Sequence, residues 1–102
     1  SSVFFKATLI SNNYTVLSSD YIIGVNTTSN PVTITLPAVS STNSGRTLII
    51  KDEAGNSATN NITISCSLGS GDTIDNLSSS VINVNNGSYT IYRGGTNKYY
   101  IV

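Results

Sequence analysis

Apolar residues along this chain recur at every second position or in short runs, and never with a sustained helical period. Stretches such as Val32-Thr33-Ile34-Thr35-Leu36 and Ile62-Thr63-Ile64-Ser65 send alternate side chains to opposite faces of an extended segment. The pattern predicts strands at Val3–Ile10, Tyr14–Leu17, Tyr21–Asn26, Val32–Leu36, Thr47–Lys51, Ile62–Cys66, Val81–Val84, Tyr89–Arg93 and Tyr99–Val102. Turn formers separate them, among them Ser11-Asn12-Asn13, Asn30-Pro31, Asn43-Ser44-Gly45, Ala54-Gly55-Asn56, Gly69-Ser70-Gly71 and Gly94-Gly95. Pro37 has no N–H to give to a ladder and marks the end of the Val32–Leu36 strand. About nine short strands with these turns predict an all-β, compact antiparallel sandwich, barrel or prism-like domain. Ala, Glu, Lys and Leu are too sparse to build helices.

The C-terminal third reads as a three-strand meander. Val81–Val84 and Tyr89–Arg93 flank Asn85-Asn86-Gly87-Ser88, whose Asn-Gly pair favours a tight turn, and Tyr89–Arg93 then meets Tyr99–Val102 across Gly94–Lys98. Several strands are apolar on consecutive positions: Phe4-Phe5, Tyr21-Ile22-Ile23, Leu48-Ile49-Ile50 and Tyr99-Tyr100-Ile101-Val102. A sheet with one wet face should alternate instead. The outer face is therefore expected to be partly covered. An identical subunit is one source of cover, and a larger sandwich core gives the same pattern.

Composition narrows the class. Ser, Thr and Asn make up 43 of the 102 residues, and charged residues only 10%. The length suits a single domain spanning 1–102. The chain starts at Ser1 without methionine, so it is expected to be a C-terminal or near-terminal module of a longer polypeptide. Five basic and five acidic residues are spread along the chain with no basic patch, which argues against nucleic acid as a partner. No apolar span approaches the ~20 residues of a membrane helix, so no membrane insertion is expected. The lone Cys66 excludes an intramolecular disulfide, and in Ile62–Cys66 it reads as a small strand residue.

At Tyr14–Pro37 and Gly45–Asn76 the chain carries YTVLSSDYIIGVNTTSNPVTITLP, then GRTLIIKDEAGNSATNNITIS and GDTIDN, and it closes on YTIYRGG and YYIV. This ordered set, covering about nine-tenths of the chain, resembles a β-rich module of bacteriophage tail-fibre and other structural proteins and of large DNA virus surface proteins. Such modules often carry glycine after D-T-I-D, where Asn76 stands here, and tryptophan near the end, where Tyr99 or Tyr100 stands. Asn also tolerates positive φ, so the turn can survive. The resemblance implies a fibre-type fold, in which a homotrimer is expected, and a virion-surface or extracellular setting. It carries no catalytic or ligand residues across.

The chemistry-bearing residues read mainly as turn formers. Asp52, Gly55 and Asn56 form one turn, and Asp72, Asp75 and Asn76 another, in which both carboxylates cap and Ile74 plugs the core. Arg46 is expected to pair with one of these acids. Hard oxygen ligands cluster in both stretches, but neither has EF-hand spacing, and no metal or cofactor is expected. The chain has no histidine, which removes triads and leaves only carboxylate-pair glycan cleavage as an enzymatic alternative. The reading is non-enzymatic. Asn13, Asn26, Asn61, Asn76 and Asn86 begin N-x-S/T triplets, which a chain this rich in Ser, Thr and Asn produces by chance.

For binding, alternation sets Tyr92 and Tyr100 on the opposite side from Tyr89 and Tyr99. Tyr92, Arg93, Asn97, Lys98 and Tyr100 are the candidate contacts for a host glycan or protein receptor, because a ring with a flat apolar face and a hydroxyl suits carbohydrate. Core or subunit-interface packing is the competing role for these rings. The expected function is host attachment or particle structure, with a bacterial extracellular adhesin or carbohydrate-binding module as the alternative.

Overall fold

The computed structural model describes residues 3–102, so Ser1 and Ser2 of the expected domain lie outside the described residues. Ten strands follow in chain order: β1 Ala7–Ile10, β2 Tyr14–Thr15, β3 Ile22–Val25, β4 Val32–Thr35, β5 Thr47–Asp52, β6 Ile62–Ser65, β7 Thr73–Ile74, β8 Ser79–Ile82, β9 Ser88–Arg93 and β10 Lys98–Ile101. One 3-10 turn at Val39–Ser41 interrupts them. The chain is all-β, as the pattern predicts.

The strands form two mixed sheets, a six-stranded one in the order β1-β3-β5-β9-β10-β7 and a four-stranded one in the order β2-β4-β6-β8. From β1 to β6 the chain changes sheet at every connection, so successive passes stack in parallel. Five of the eight strand pairings are parallel, which corrects the expectation of an antiparallel domain. Alternation dictates which face a residue takes, and the connections dictate its partner.

The expected meander is corrected for the same reason. β9 and β10 do pair antiparallel, but β8 lies in the other sheet beside β6. In the turn between β8 and β9, Asn86 takes φ 65°, whereas Gly87 is not left-handed, so a two-residue hairpin turn does not form. Hydrogen bonds to the end of β5 then draw this turn across: Asn86 N–H donates to Asp52 Oδ2 at 3.0 Å, and Asp52 N–H to the Gly87 carbonyl at 2.9 Å. The chain therefore arches between sheets.

The core lies between the sheets. Ile23, Val25, Ile50 and Ile91 from the six-stranded sheet meet Ile34, Ile62 and Ile64 from the four-stranded one, each fully buried. Ile74 plugs the β7 edge, also fully buried. Asp75 and Asn76 turn the chain after it with φ 48° and 69°, so Asn76 does the work of a left-handed residue without being glycine. Val3–Lys6, predicted as strand, carries no regular structure, and Phe4 and Phe5 are exposed.

Candidate functional site

Strand pairing assembles the candidate surface on the outer face of the six-stranded sheet. One row across it runs Ala7, Ile22, Ile49, Thr90, and another runs Thr47, Tyr92, Tyr100. The Tyr92 and Tyr100 rings lie 5.6 Å apart, tilted by 41°. At the opposite edge Phe5 and Tyr21 form a similar pair at 4.8 Å. Tyr100 lies over Gly94, where an added Cβ would sit 2.4 Å from its ring, so glycine is what lets the ring lie flat. Glu53 likewise lies across Gly24, where a Cβ would stand 2.1 Å from its carboxylate.

Of the five candidate contacts, the fold brings three to this face. Tyr92, Tyr100 and Lys98 point outward, and Lys98 Nζ donates to Asn76 Oδ1 at 2.9 Å. Arg93 pairs with the buried Tyr99 and points the other way, and its Nη1 donates to the Gly94 carbonyl at 2.8 Å. Asn97, at φ 59°, ties two loops by donating to Asp72 Oδ1 at 2.7 Å. The wall completing the surface comes from Ile22 and Ile49, signalled in sequence by the consecutive apolar positions.

The carboxylates are organised by long-range bonds. Asp52 is fully buried and accepts N–H donors from Gly55, Ser57 and Asn86. Burial pushes its carboxyl up, but these N–H groups outweigh burial and bring it down to about 2. Asn56 donates from Nδ2 to the Thr27 carbonyl, so Asp52, Gly55 and Asn56 do form one braced turn. Asp72 does not cap its own turn. It accepts from Val39 N–H at 2.8 Å and from Asn97, while Asp75 accepts from Ile101 N–H at 3.2 Å. The β7–β10 pairing brings Asn97 and Ile101 to these acids, and the 3-10 turn after β4 brings Val39 to Asp72.

Asp20 accepts from Tyr14 Oη at 2.5 Å, Leu17 N–H and Thr8 Oγ1. Burial raises its carboxyl, yet these donors with Lys6 bring the net shift below the ordinary value. Tyr14 is pushed up to about 12, first by burial and then by the Asp20 hydrogen bond and charge. Tyr99 also rises to about 12, through burial and the Asp72 charge, and its hydroxyl donates to the Pro37 carbonyl at 2.6 Å. Burial raises the Cys66 thiol. Arg46 pairs with no acid, contrary to expectation, and donates to the carbonyls of Leu17 and Asp20 instead. Among the described residues no group of three His, Cys, Asp or Glu side chains is placed to hold a metal ion.

No protein-family model matches the chain, and no curated protein matches it.

Proposed function

We propose that the chain is a non-enzymatic module of a virion fibre or surface protein, serving host attachment or particle structure as a homotrimer on the particle surface. One observation carries the reading: the outer face of the six-stranded sheet carries Ile22, Ile49, Tyr92 and Tyr100 in adjoining rows, Tyr92 exposed and the other three half-buried. Packing that face against neighbouring copies removes apolar area from water, at roughly 25 cal/mol per Å². Symmetric copies then present their remaining weak polar contacts several times, and effective concentration adds them. The carboxylates support a non-enzymatic role, because Asp20, Asp52 and Asp72 are buried and already accept hydrogen bonds.

A second reading is a monomeric bacterial adhesin or carbohydrate-binding module, favoured by the half-exposed Tyr92–Tyr100 pair beside Lys98. Immunogold labelling with antibody against the chain separates the two. Label on fibres or surface of virus particles supports the first, and label confined to a bacterial envelope supports the second and contradicts the first.

A further inference from the structure

Away from the tyrosine face, a cleft of about 400 Å³ opens between the β2–β3 turn and the segment leading into β5, lined by Ser18, Ser41, Thr42, Asn43, Ser44 and Arg46. Every lining side chain is polar, and Arg46 carries the only charge. Its guanidinium is locked in place: Nη2 donates to the Leu17 carbonyl at 2.8 Å and to the Asp20 carbonyl at 2.9 Å. Both acceptors are neutral, so they orient the cation without neutralising it. Among the described residues the one ion pair is Lys6–Asp20, at 3.6 Å.

A second, independent feature lies beside it. Gly45 N–H donates to the Arg93 carbonyl at 2.8 Å and Arg93 N–H to the Arg46 carbonyl at 2.9 Å, so two residues of one strand oppose one of the other. This is a bulge that opens on Gly45 in the left-handed region, at φ 83°. It sets Arg46 across from Arg93, and like charges directly opposite one another destabilise a sheet. Arg93 Nε is moreover buried without a hydrogen-bond partner. Arg93 is not among the residues that line the cleft, so Arg46 is the cation that an anion bound there meets.

We infer that this cleft is a subsite for carboxylate-bearing saccharides, in which Arg46 takes the sugar carboxylate and the surrounding hydroxyls and the Asn43 amide take ring hydroxyls. The inference rests on the attachment reading above, and it names the class of receptor. Hydroxyls and amides both donate and accept, which matches a sugar ring, whereas an inorganic anion uses donors alone. Ser41 fits this role, since its hydroxyl already donates to the Ala38 carbonyl at 2.8 Å and presents its lone pairs as acceptors.

The test is amide chemical-shift mapping on isotope-labelled chain. It is titrated separately with a sialic-acid-terminated oligosaccharide, a glucuronate oligosaccharide, their neutral counterparts and sodium phosphate. The expected result is movement of the Ser18 and Ser41–Arg46 amides with the acidic sugars and not with the neutral ones. Arg46→Lys should weaken binding about tenfold, because an ammonium lacks the planar fork that holds both carbonyls on Nη2 and leaves other N–H groups to pair bidentately with a carboxylate. Should Arg46→Lys fail to fold, Ser18→Ala with Asn43→Ala replaces it, with the same loss expected. Equal shifts with neutral sugars, phosphate acting as strongly as the acidic sugars, or shifts confined to Tyr92 and Tyr100 would overturn the inference. Particle labelling with a silent cleft removes only the subsite. A responding cleft without particle labelling removes only the virion reading.

Discussion

The two sheets share one interior and present opposite exteriors. Outside the four-stranded sheet, one row reads Thr15, Thr35, Ser65, Ser79 and the next Thr33, Thr63, Val81. Outside the six-stranded sheet, the equivalent rows hold Ile22 and Ile49 in one and Tyr92 and Tyr100 in another. Thr and Ile are both β-branched, so strand formation is served equally by either. The pleat therefore does not require Ile at positions 22 and 49. What differs is the solvent each face is made for: hydroxyls face water, and the apolar face suits protein. On this view the exterior composition records where a partner sits.

The comparison breaks most visibly if the apolar face is charged. Ile49→Lys should reduce the proposed trimer to single chains, while Thr63→Lys, its counterpart on the hydroxyl face, should leave the mass unchanged. Analytical ultracentrifugation of both variants checks this, with circular dichroism to show that each keeps its strands. Equal behaviour of the two would remove the distinction between the faces.

Next in size are the inward residues, where the sheets should not differ. Ile23→Ala and Ile34→Ala each empty a fully buried position, and each should cost about 2–5 kcal/mol in urea unfolding. A large disparity would mean that the sheets do not share one core.

A smaller effect concerns the arch that joins the two sheets. The Asp52 carboxyl sits at about 2 against an ordinary 3.8, so its folded form is the better acid. Its contribution, about 2 kcal/mol, is fully present above pH ~4 and is lost as pH falls through ~2. Asp52→Asn should flatten that part of the acid-unfolding profile and loosen the Asn86–Gly87 turn. A profile identical to that of the parent protein would show that the buried carboxylate does not set it.

Smallest is the aromatic pair itself. On the second, monomeric reading, which leaves this face free, Tyr92→Ala should weaken glycan binding about tenfold, or ~1.4 kcal/mol, with little change in melting temperature. Glycan-array titration reads it, and unchanged binding would leave the ring with packing as its whole role.

These differences also show how far a sequence can be read. Period-two alternation placed Val32, Ile34, Ile62 and Ile64 inward and located nine of the ten strands. It missed β7, because Thr73-Ile74 is too short to show a period. It reads the β9–β10 hairpin correctly but takes the β8–β9 arch for a hairpin too, because the bond that decides joins residues far apart in sequence, Asp52 and Asn86. The outward placement of Tyr92 and Tyr100 was legible from parity. The same parity turns Arg93 to the other face; that Asn97 ties back to Asp72 is not legible, since it sits at positive φ in a tight loop between the strands. Arg46 carried a local signal, a run of hydroxyls ending in Gly45, but its carbonyl partners sit 26 and 29 residues away.

The central claim is that copies of this chain cover the face carrying Ile22, Ile49, Tyr92 and Tyr100. Light scattering coupled to gel filtration at micromolar concentration measures it directly. The account predicts a particle of three chains. A particle that stays at the 10.7 kDa of one chain would contradict it.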